Sequence, residues 1–257
     1  MYTVEDRDAL RQRVLELADA DDRVVAGAAV GSLALGGGDR FSDLDLTFAI
    51  ADEVAIGDVL DDWTRTLRDE LGAIVLADLE SGPTTYRVLL LPDALQLDLS
   101  MTPAAQFRPA GPRFRLLFGA TAGGEPAPPR SPGSLFIVTP AVPELVFGWA
   151  VIYALHARAC IERGRPWQAT HYLEAVRDHA LALACLRHGV VAVQARGYDD
   201  LPAGTLARFA GTHVGAQEPR ALRAALAAAV SALLREAEDA GLGAAPAVAE
   251  RLAELSA

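Results

Sequence analysis

The sequence predicts an α/β (α+β) domain with a mixed sheet, followed by an all-helical C-terminal domain. Strand-like apolar runs such as VVAGAAV and DLDLTFAI alternate with helical patterns up to residue 118. Beyond residue 134 the pattern is helical almost throughout, and Ala-rich runs such as ALRAALAAAVSALL have high helix propensity. A segment rich in Gly, Pro and Ala at 119–134 separates the two patterns and predicts a linker, so we place the domain boundary there.

The elements of the first domain follow from the spacing of their apolar residues. In the second predicted helix these recur with a period of 3.6, at Val59, Leu60, Trp63, Leu67 and Leu71. In the stretch LQLDLSM apolar and polar residues alternate, as in a half-buried strand. The full set is a helix near 4–20, strands near 24–30 and 43–50, a helix near 57–71, and strands near 73–79, 85–91 and 95–101.

The second domain is predicted to be a bundle of helices. A chain of 257 residues is long enough for one large domain or two modest ones. We therefore assign 1–134 to the first domain, including the linker, and 135–257 to the second. The predicted helices lie near 143–163, 166–188, 199–211, 218–240 and 245–256.

The charge of the chain is negative and unevenly distributed. The net charge is −11, and the chain contains no lysine. Residues 1–134 hold 12 arginines and 22 acidic residues, a net charge of −10, whereas residues 135–257 hold 11 and 12, a net charge of −1. Because nucleic-acid binding requires a basic surface, this composition argues against a nucleic-acid partner and favours metal ions and cationic small molecules.

The remaining composition predicts a cytoplasmic protein without a membrane segment. The N-terminus, MYTVEDRDALRQRVLELADA, is acidic and helical in pattern, unlike a signal peptide. No apolar run reaches the length of about 18 residues that a transmembrane helix needs. The two cysteines, Cys160 and Cys185, are isolated and show no disulfide or zinc spacing.

A Gly-Ser pair and two aspartates form the most informative motif. Gly31 and Ser32 follow an apolar run, and Asp43 and Asp45 lie in the next one. Alternate residues of a strand point to the same face, so the two carboxylates are predicted to project side by side. Carboxylates this close repel one another unless a cation lies between them, and Mg²⁺ is the usual partner where phosphates are handled. The Gly-Ser turn would supply backbone N–H groups and a hydroxyl to a phosphate, at a predicted helix start.

A third aspartate, Asp98, completes the constellation. It lies within the alternating strand LQLDLSM, a position that strand propensity disfavours for aspartate. Adjacent strands would bring Asp98 to the same edge of the sheet as Asp43 and Asp45. Three carboxylates so arranged can hold two Mg²⁺ ions against a triphosphate, one ion at the attacking hydroxyl and the other at the leaving pyrophosphate.

This order of motifs resembles the nucleotidyltransferase superfamily typified by DNA polymerase beta. The resemblance covers residues 20–102. Within the superfamily, the small size and the helical C-terminal half resemble the bacterial antibiotic nucleotidyltransferases that act on aminoglycosides and lincosamides. The resemblance implies a catalytic nucleotidyltransferase domain followed by a helical, substrate-binding domain.

The resemblance also implies roles for the five motif residues. In the superfamily the Gly-Ser pair binds the nucleotide phosphates, which corresponds to Gly31 and Ser32 here. The three acidic residues bind metal, which corresponds to Asp43, Asp45 and Asp98.

The helical half carries weaker candidates. In relatives, acidic residues of the helical domain face the antibiotic, and in some of them one is the general base. Glu174 is our candidate for that role and Asp178, four residues later on the same helix face, for holding a substrate amine. Relatives often place a lysine near the phosphates; this chain has none, and Arg158 is the candidate substitute. The general base is left open between Asp98 and Glu174.

These observations predict a Mg²⁺-dependent nucleotidyltransferase. It would move a nucleoside monophosphate from ATP or another NTP to a hydroxyl of a small, cationic acceptor such as an aminoglycoside, and release pyrophosphate. One alternative is an adenylyltransferase-type antitoxin that modifies a protein partner, and another is a non-catalytic nucleotide-binding regulator. A homodimer is left open.

Overall fold

The fold consists of two compact units, Met1–Ile137 and Val138–Ala257. The computed structural model describes residues 2–36, 39–109, 113–123, 142–192 and 195–252. The described part of the first unit is a mixed α/β structure and that of the second is helical, which confirms the predicted fold class. Residues 124–134 of the predicted linker lie outside the described residues.

The N-terminal unit contains every element that periodicity predicts, with ends within two residues of the expected ones. A capping box begins the first helix, since Thr3 Oγ1 accepts a hydrogen bond from the Asp6 amide and the Asp6 carboxylate accepts one from the Thr3 amide. The elements are α1 (Val4–Asp19), β1 (Val24–Val30), β2 (Leu44–Ile50), α2 (Ile56–Leu71), β3 (Ile74–Ser81), β4 (Thr84–Leu90), β5 (Gln96–Pro103) and β6 (Phe114–Phe118).

The sheet is mixed, and its strand order is β3-β4-β5-β2-β1-β6. The central strands β2 and β5 are parallel, and all other neighbouring strands are antiparallel. Parallel strands require a crossover connection, and here it runs through α2, β3 and β4. In the parallel pair Asp45 lies opposite Asp98. The topology therefore places the two strand-borne aspartates on neighbouring strands in the middle of the sheet.

The core of this unit lies on one face of the sheet. Leu46 and Phe48 of β2 and Leu99 of β5 are fully buried there, in one cluster with side chains of α1 and α2. The Phe48 ring meets the Trp63 ring edge-on, with centroids 5.1 Å apart. Burial of each side chain of this size contributes about 1.5–3 kcal/mol to folding. This apolar packing fixes the relative positions of β2 and β5.

The opposite face of the same two strands is polar. Asp45 and Thr47 alternate with the core residues of β2, as do Gln96, Asp98 and Ser100 with those of β5. The side chains of Thr47, Gln96 and Ser100 are buried and the two aspartates are half-buried. Buried polar groups cost folding free energy unless they are hydrogen-bonded, so a face of this composition indicates a site.

Strand β6 was not predicted from the sequence. It pairs with β1 and forms one edge of the sheet. Its Phe118 ring lies against Gly27 of β1, where a Cβ would overlap the ring. The Phe118 ring also lies near that of Phe48, with centroids 6.3 Å apart. The stretch FRLLF does not alternate like a strand, so it is this contact across β1, rather than a local pattern, that accounts for the element.

The C-terminal unit contains α3 (Pro143–Glu162), α4 (Pro166–His188), α5 (Ala203–Leu206), α6 (Pro219–Asp239) and α7 (Ala245–Arg251). The prediction of one helix over 199–211 is wrong. A short α5 follows Pro202 and passes into a 3₁₀ helix, Ala207–Thr212. Proline has no N–H to donate and disfavours a helical conformation in the residue before it, so no helix crosses residue 202.

A buried carboxylate connects three segments of the helical unit. Glu236 of α6 is fully buried and accepts hydrogen bonds from Arg187 of α4 and Arg208 of the 3₁₀ helix, at 2.6 and 2.8 Å. Asp239 also accepts a hydrogen bond from Arg208. The two guanidinium groups offset the cost of removing the Glu236 charge from water, so this cluster is structural.

By its length and its apolar composition alone, helix α3 could cross a membrane. Of its most apolar window, 61% is buried within the structure, where the helix packs against α4 and α6. This degree of burial is typical of a core helix.

Candidate metal centre

Three carboxylates meet at the polar face of the sheet. Asp43 directly precedes β2, Asp45 is its second residue, and Asp98 lies beside Asp45 on β5. One carboxylate oxygen from each residue lies within 4.8 Å of the other two, and all three side chains are half-buried. The three predicted aspartates therefore come together, although at the central strands β2 and β5 rather than at the expected edge of the sheet. Oxygen atoms at these separations can share one hard divalent cation at the usual ligand distances of about 2.0–2.6 Å.

Asp45 is the carboxylate in the least favourable environment. Loss of hydration, followed by the negative charges of Asp43 and Asp98, raises the pKa of Asp45 well above its usual range. Among the described residues, no cationic group lies within ion-pairing distance of the Asp45 carboxylate. Ionised Asp45 is thus destabilised in the metal-free protein, and a bound cation would reverse that penalty.

Gly31 and Ser32 lie beside this carboxylate. Gly31 adopts a left-handed backbone conformation, with φ of 69°, and a Cβ there would overlap Oδ2 of Asp45. The Oγ atom of Ser32 is buried and has no hydrogen-bond partner among the described residues. The predicted helix start is a 3₁₀ helix of three residues, Gly31–Leu33, too short for a helix-dipole effect. Gly31 and Ser32 therefore give a ligand room to approach the backbone closely and a hydroxyl without a hydrogen-bond partner. They do not give it the N-terminus of a helix.

A short turn positions the first aspartate, and the N-terminal helix holds that turn. The amide of Asp39 donates to Ser42 Oγ at 3.0 Å, and the amide of Phe41 donates to the Asp39 carboxylate at 2.9 Å. Arg7 of α1 is buried, and its Nη1 donates to the carbonyl oxygens of Asp39 and Ser42 at 2.7 and 3.1 Å. Since Ser42 directly precedes Asp43, these bonds fix the backbone from which the Asp43 side chain projects.

Arg7 and Gln96 are site-supporting residues that the sequence reasoning missed. Arg7 lies on the apolar face of α1 with Leu10 and Val14. An arginine at such a position of the helical pattern indicates a buried guanidinium group that needs hydrogen-bond acceptors. Gln96 precedes Asp98 by two residues on the same strand face, and its Nε2 donates to Asp98 Oδ1 at 2.9 Å. The alternating pattern of LQLDLSM contained that signal.

The residues of this cluster fit a divalent cation. The ligand set consists of carboxylate oxygens, which suit Mg²⁺ and Mn²⁺. The raised pKa of Asp45 indicates a carboxylate that lacks a compensating positive charge. The close approach at Gly31 and the unpartnered Ser32 hydroxyl add room and a donor for an anionic ligand such as a phosphate.

The remaining predicted site residues lie in the helical unit. Glu174 is exposed on α4, and Arg158 forms an ion pair with Glu162 one turn further along α3, at 2.9 Å. Asp178 pairs with Arg177 and, with Leu181, lines a cavity of about 670 Å³. Glu174 is not among the described residues that line this cavity. The roles of Glu174 and Arg158 stay predictions.

Comparison with known proteins identifies no family for the chain. No protein-family model and no curated protein matches it. Among solved structures, the chain is similar to an aminoglycoside 6-adenyltransferase from Bacillus subtilis, with 12% sequence identity and a TM-score of 0.34. The match covers 93% of this chain and 89% of that one. At this TM-score the two folds agree too loosely for the activity of one to be transferred to the other.

Replacing Asp45 with asparagine should stabilise the metal-free protein. The folded state holds the Asp45 proton more tightly than the unfolded chain does. The metal-free wild type therefore loses stability as the pH rises from the ordinary aspartate range through the raised pKa. D45N removes that loss, and each kcal/mol regained raises the Tm by about 2–4 °C in a protein of this size. Thermal melts in EDTA between pH 5 and 8 measure the difference.

The same melts with MgCl₂ test the metal assignment. Mg²⁺ should raise the Tm of the wild type more at high pH than at low pH, and should leave the Tm of D45N unchanged. Asp69→Asn, at an exposed position of α2, is the matched control and should respond as the wild type does. An equal Mg²⁺-induced shift in D45N and the wild type would contradict the assignment.

Replacing Gly31 with alanine should weaken metal binding through steric contact with Asp45. Gly36 is the matched control, because its φ of 73° imposes a similar backbone strain while nothing lies within 4 Å of the added Cβ. We expect G31A to reduce Mn²⁺ affinity by at least about 10-fold, as lost support of a ligand does. G36A should keep the wild-type affinity. Isothermal titration with Mn²⁺ distinguishes the variants, and equal affinities in both would refute a role for the Gly31–Asp45 contact.

Proposed function

We propose that the protein is a metal-dependent nucleotidyltransferase. The observation that carries the proposal is the cluster of Asp43, Asp45 and Asp98, with Gly31 against Asp45 and an unpartnered Ser32 hydroxyl beside it. Carboxylates that hold divalent cations next to a phosphate-binding turn suit phosphoryl and nucleotidyl transfer, in which positioning and charge neutralisation supply most of the catalysis. The resemblance of the motif order to the nucleotidyltransferase superfamily supports the same reaction.

In the proposed reaction an acceptor hydroxyl oxygen attacks the α-phosphorus of ATP or another NTP. The bond from that phosphorus to the bridging oxygen breaks, pyrophosphate leaves, and the hydroxyl proton passes to a general base. Asp43, Asp45 and Asp98 would hold the metal, and two Mg²⁺ ions would polarise the attacking and leaving oxygens. Gly31 and Ser32 would bind the phosphates through a backbone N–H and the hydroxyl, and Arg158 is a candidate for a further phosphate contact.

The acceptor proposed is a small cationic molecule such as an aminoglycoside. The acidity of the first 134 residues, with a net charge of −10, supports an acceptor that carries positive charge. Glu174, an exposed carboxylate of the helical unit, is the proposed general base, with Asp98 as the alternative. The chain would act in the cytoplasm, and modification of a protein partner is the alternative to a small acceptor.

Transfer of label from α-³²P-labelled NTPs tests the proposal. With Mg²⁺ and a panel of aminoglycosides and lincosamides, we expect label on an acceptor together with release of pyrophosphate. D45N and Asp98→Asn should lower the rate by at least about 100-fold, since even lost supporting contacts cost 10–100-fold. D69N should keep the wild-type rate.

The location of the label distinguishes the alternatives. Label on a co-purified protein would favour the protein-modifying alternative. NTP binding without Mg²⁺ dependence, and no transfer to any acceptor, would favour a non-catalytic regulator. If Glu174 is the base, Glu174→Gln should lower kcat while the KM for NTP stays near the wild-type value.

A further inference from the structure

Gln96 is a buried amide that makes contact with the carboxylate cluster. Its side chain is 4% exposed, and its Nε2 donates to Asp98 Oδ1 at 2.9 Å. Gln96 lies opposite Leu90 of β4, on the same strand face as Asp98. The acceptor of its amide hydrogen bond is thus a predicted metal ligand.

The other polar atom of this side chain is left unsatisfied. Gln96 Oε1 is buried and accepts no hydrogen bond from the described residues. A buried acceptor without a donor costs folding free energy that a methionine or leucine of similar size would avoid. The unsatisfied Oε1 therefore lowers the free energy of unfolding. The contact that the amide makes at this position is the hydrogen bond to Asp98.

The bond restricts the orientation of a carboxylate that its neighbours repel. The terminal torsion of an aspartate is broad, and the charge of Asp45 favours rotation of the Asp98 carboxylate away from it. The hydrogen bond from Gln96 is made to Oδ1 of the carboxylate and so opposes such a rotation. Because the donor is neutral, it does not compete with a cation for the carboxylate, as an arginine or lysine would.

We propose that Gln96 is a positioning residue that holds the Asp98 carboxylate in the orientation required for metal binding. This inference rests on the metal site of the proposed function, but it does not depend on which nucleotide or acceptor is used. Partners that orient a metal ligand in this way typically account for 10–100-fold in metal affinity.

The test is Mn²⁺ binding by the full chain without nucleotide, measured by isothermal titration and by electron paramagnetic resonance of free Mn²⁺. Gln96→Met keeps the side-chain length but cannot donate, and we expect it to weaken Mn²⁺ affinity about 10–100-fold. Thr102→Val is the matched control on the same strand face, where it removes a buried 2.8 Å hydrogen bond to Thr84. T102V should bind Mn²⁺ within about twofold of the wild type, since Thr102 lies outside the positioning contact.

A second variant separates positioning from folding. Gln96→Asn keeps the amide but is one methylene shorter, so it should lose the bond to Asp98 and show the same loss of affinity as Q96M. Saturating Mn²⁺ should restore a Tm increase in both variants, which a general folding defect would not give. Wild-type Mn²⁺ affinity in Q96M and Q96N, beside a loss of affinity in D98N, would overturn the inference.

These outcomes are distinct from those of the transfer assay. If no nucleoside monophosphate is transferred to any acceptor, the proposed reaction fails, while the Mn²⁺ titrations still decide the role of Gln96. If the wild type binds no Mn²⁺, the inference fails together with the metal centre.

Discussion

The close placement of three half-buried carboxylates, held against their mutual repulsion, is the constraint on which the site of the N-terminal unit depends. Parallel pairing of β2 and β5 places Asp45 directly beside Asp98, and Asp43 precedes Asp45 by two residues. Three negative charges held this close disfavour the folded state, and loss of hydration together with the charges of Asp43 and Asp98 raises the pKa of Asp45. The apolar packing of the opposite sheet face supplies the free energy that keeps the strands in this register.

Residues around the cluster support the backbone and side chains that carry the carboxylates. Arg7 donates to backbone carbonyls of the turn before Asp43, and Gln96 donates to Asp98 through a neutral amide. Gly31 leaves room for Asp45, because any side chain there would displace its carboxylate. A divalent cation is the partner that would relieve the repulsion at Asp45 while leaving coordination positions for phosphate.

The sequence predicted the elements that local periodicity determines and the residues that strand alternation aligns. Asp45 and Asp98 each lie within a run in which apolar and polar residues alternate. Pairing of their two strands is therefore enough to bring the two carboxylates together. Strand β6 depends on packing of Phe118 against Gly27, a contact between residues far apart in the sequence. The supporting bonds of Arg7 likewise join positions 32 and 35 residues apart, which no local pattern specifies. Glu174 and Arg158 were proposed by resemblance, and their surroundings on α4 and α3 do not determine a role.

The central claim is that Asp43, Asp45 and Asp98 together bind a divalent cation, and anomalous diffraction from crystals soaked in Mn²⁺ tests it most directly. We expect an anomalous peak within about 2.0–2.4 Å of a carboxylate oxygen from each of the three residues, as for a hard cation with oxygen ligands. A second peak nearby would support a two-ion site. Mn²⁺ bound elsewhere on the chain, with this cluster empty at saturating concentration and a pH above the raised pKa of Asp45, would contradict the account.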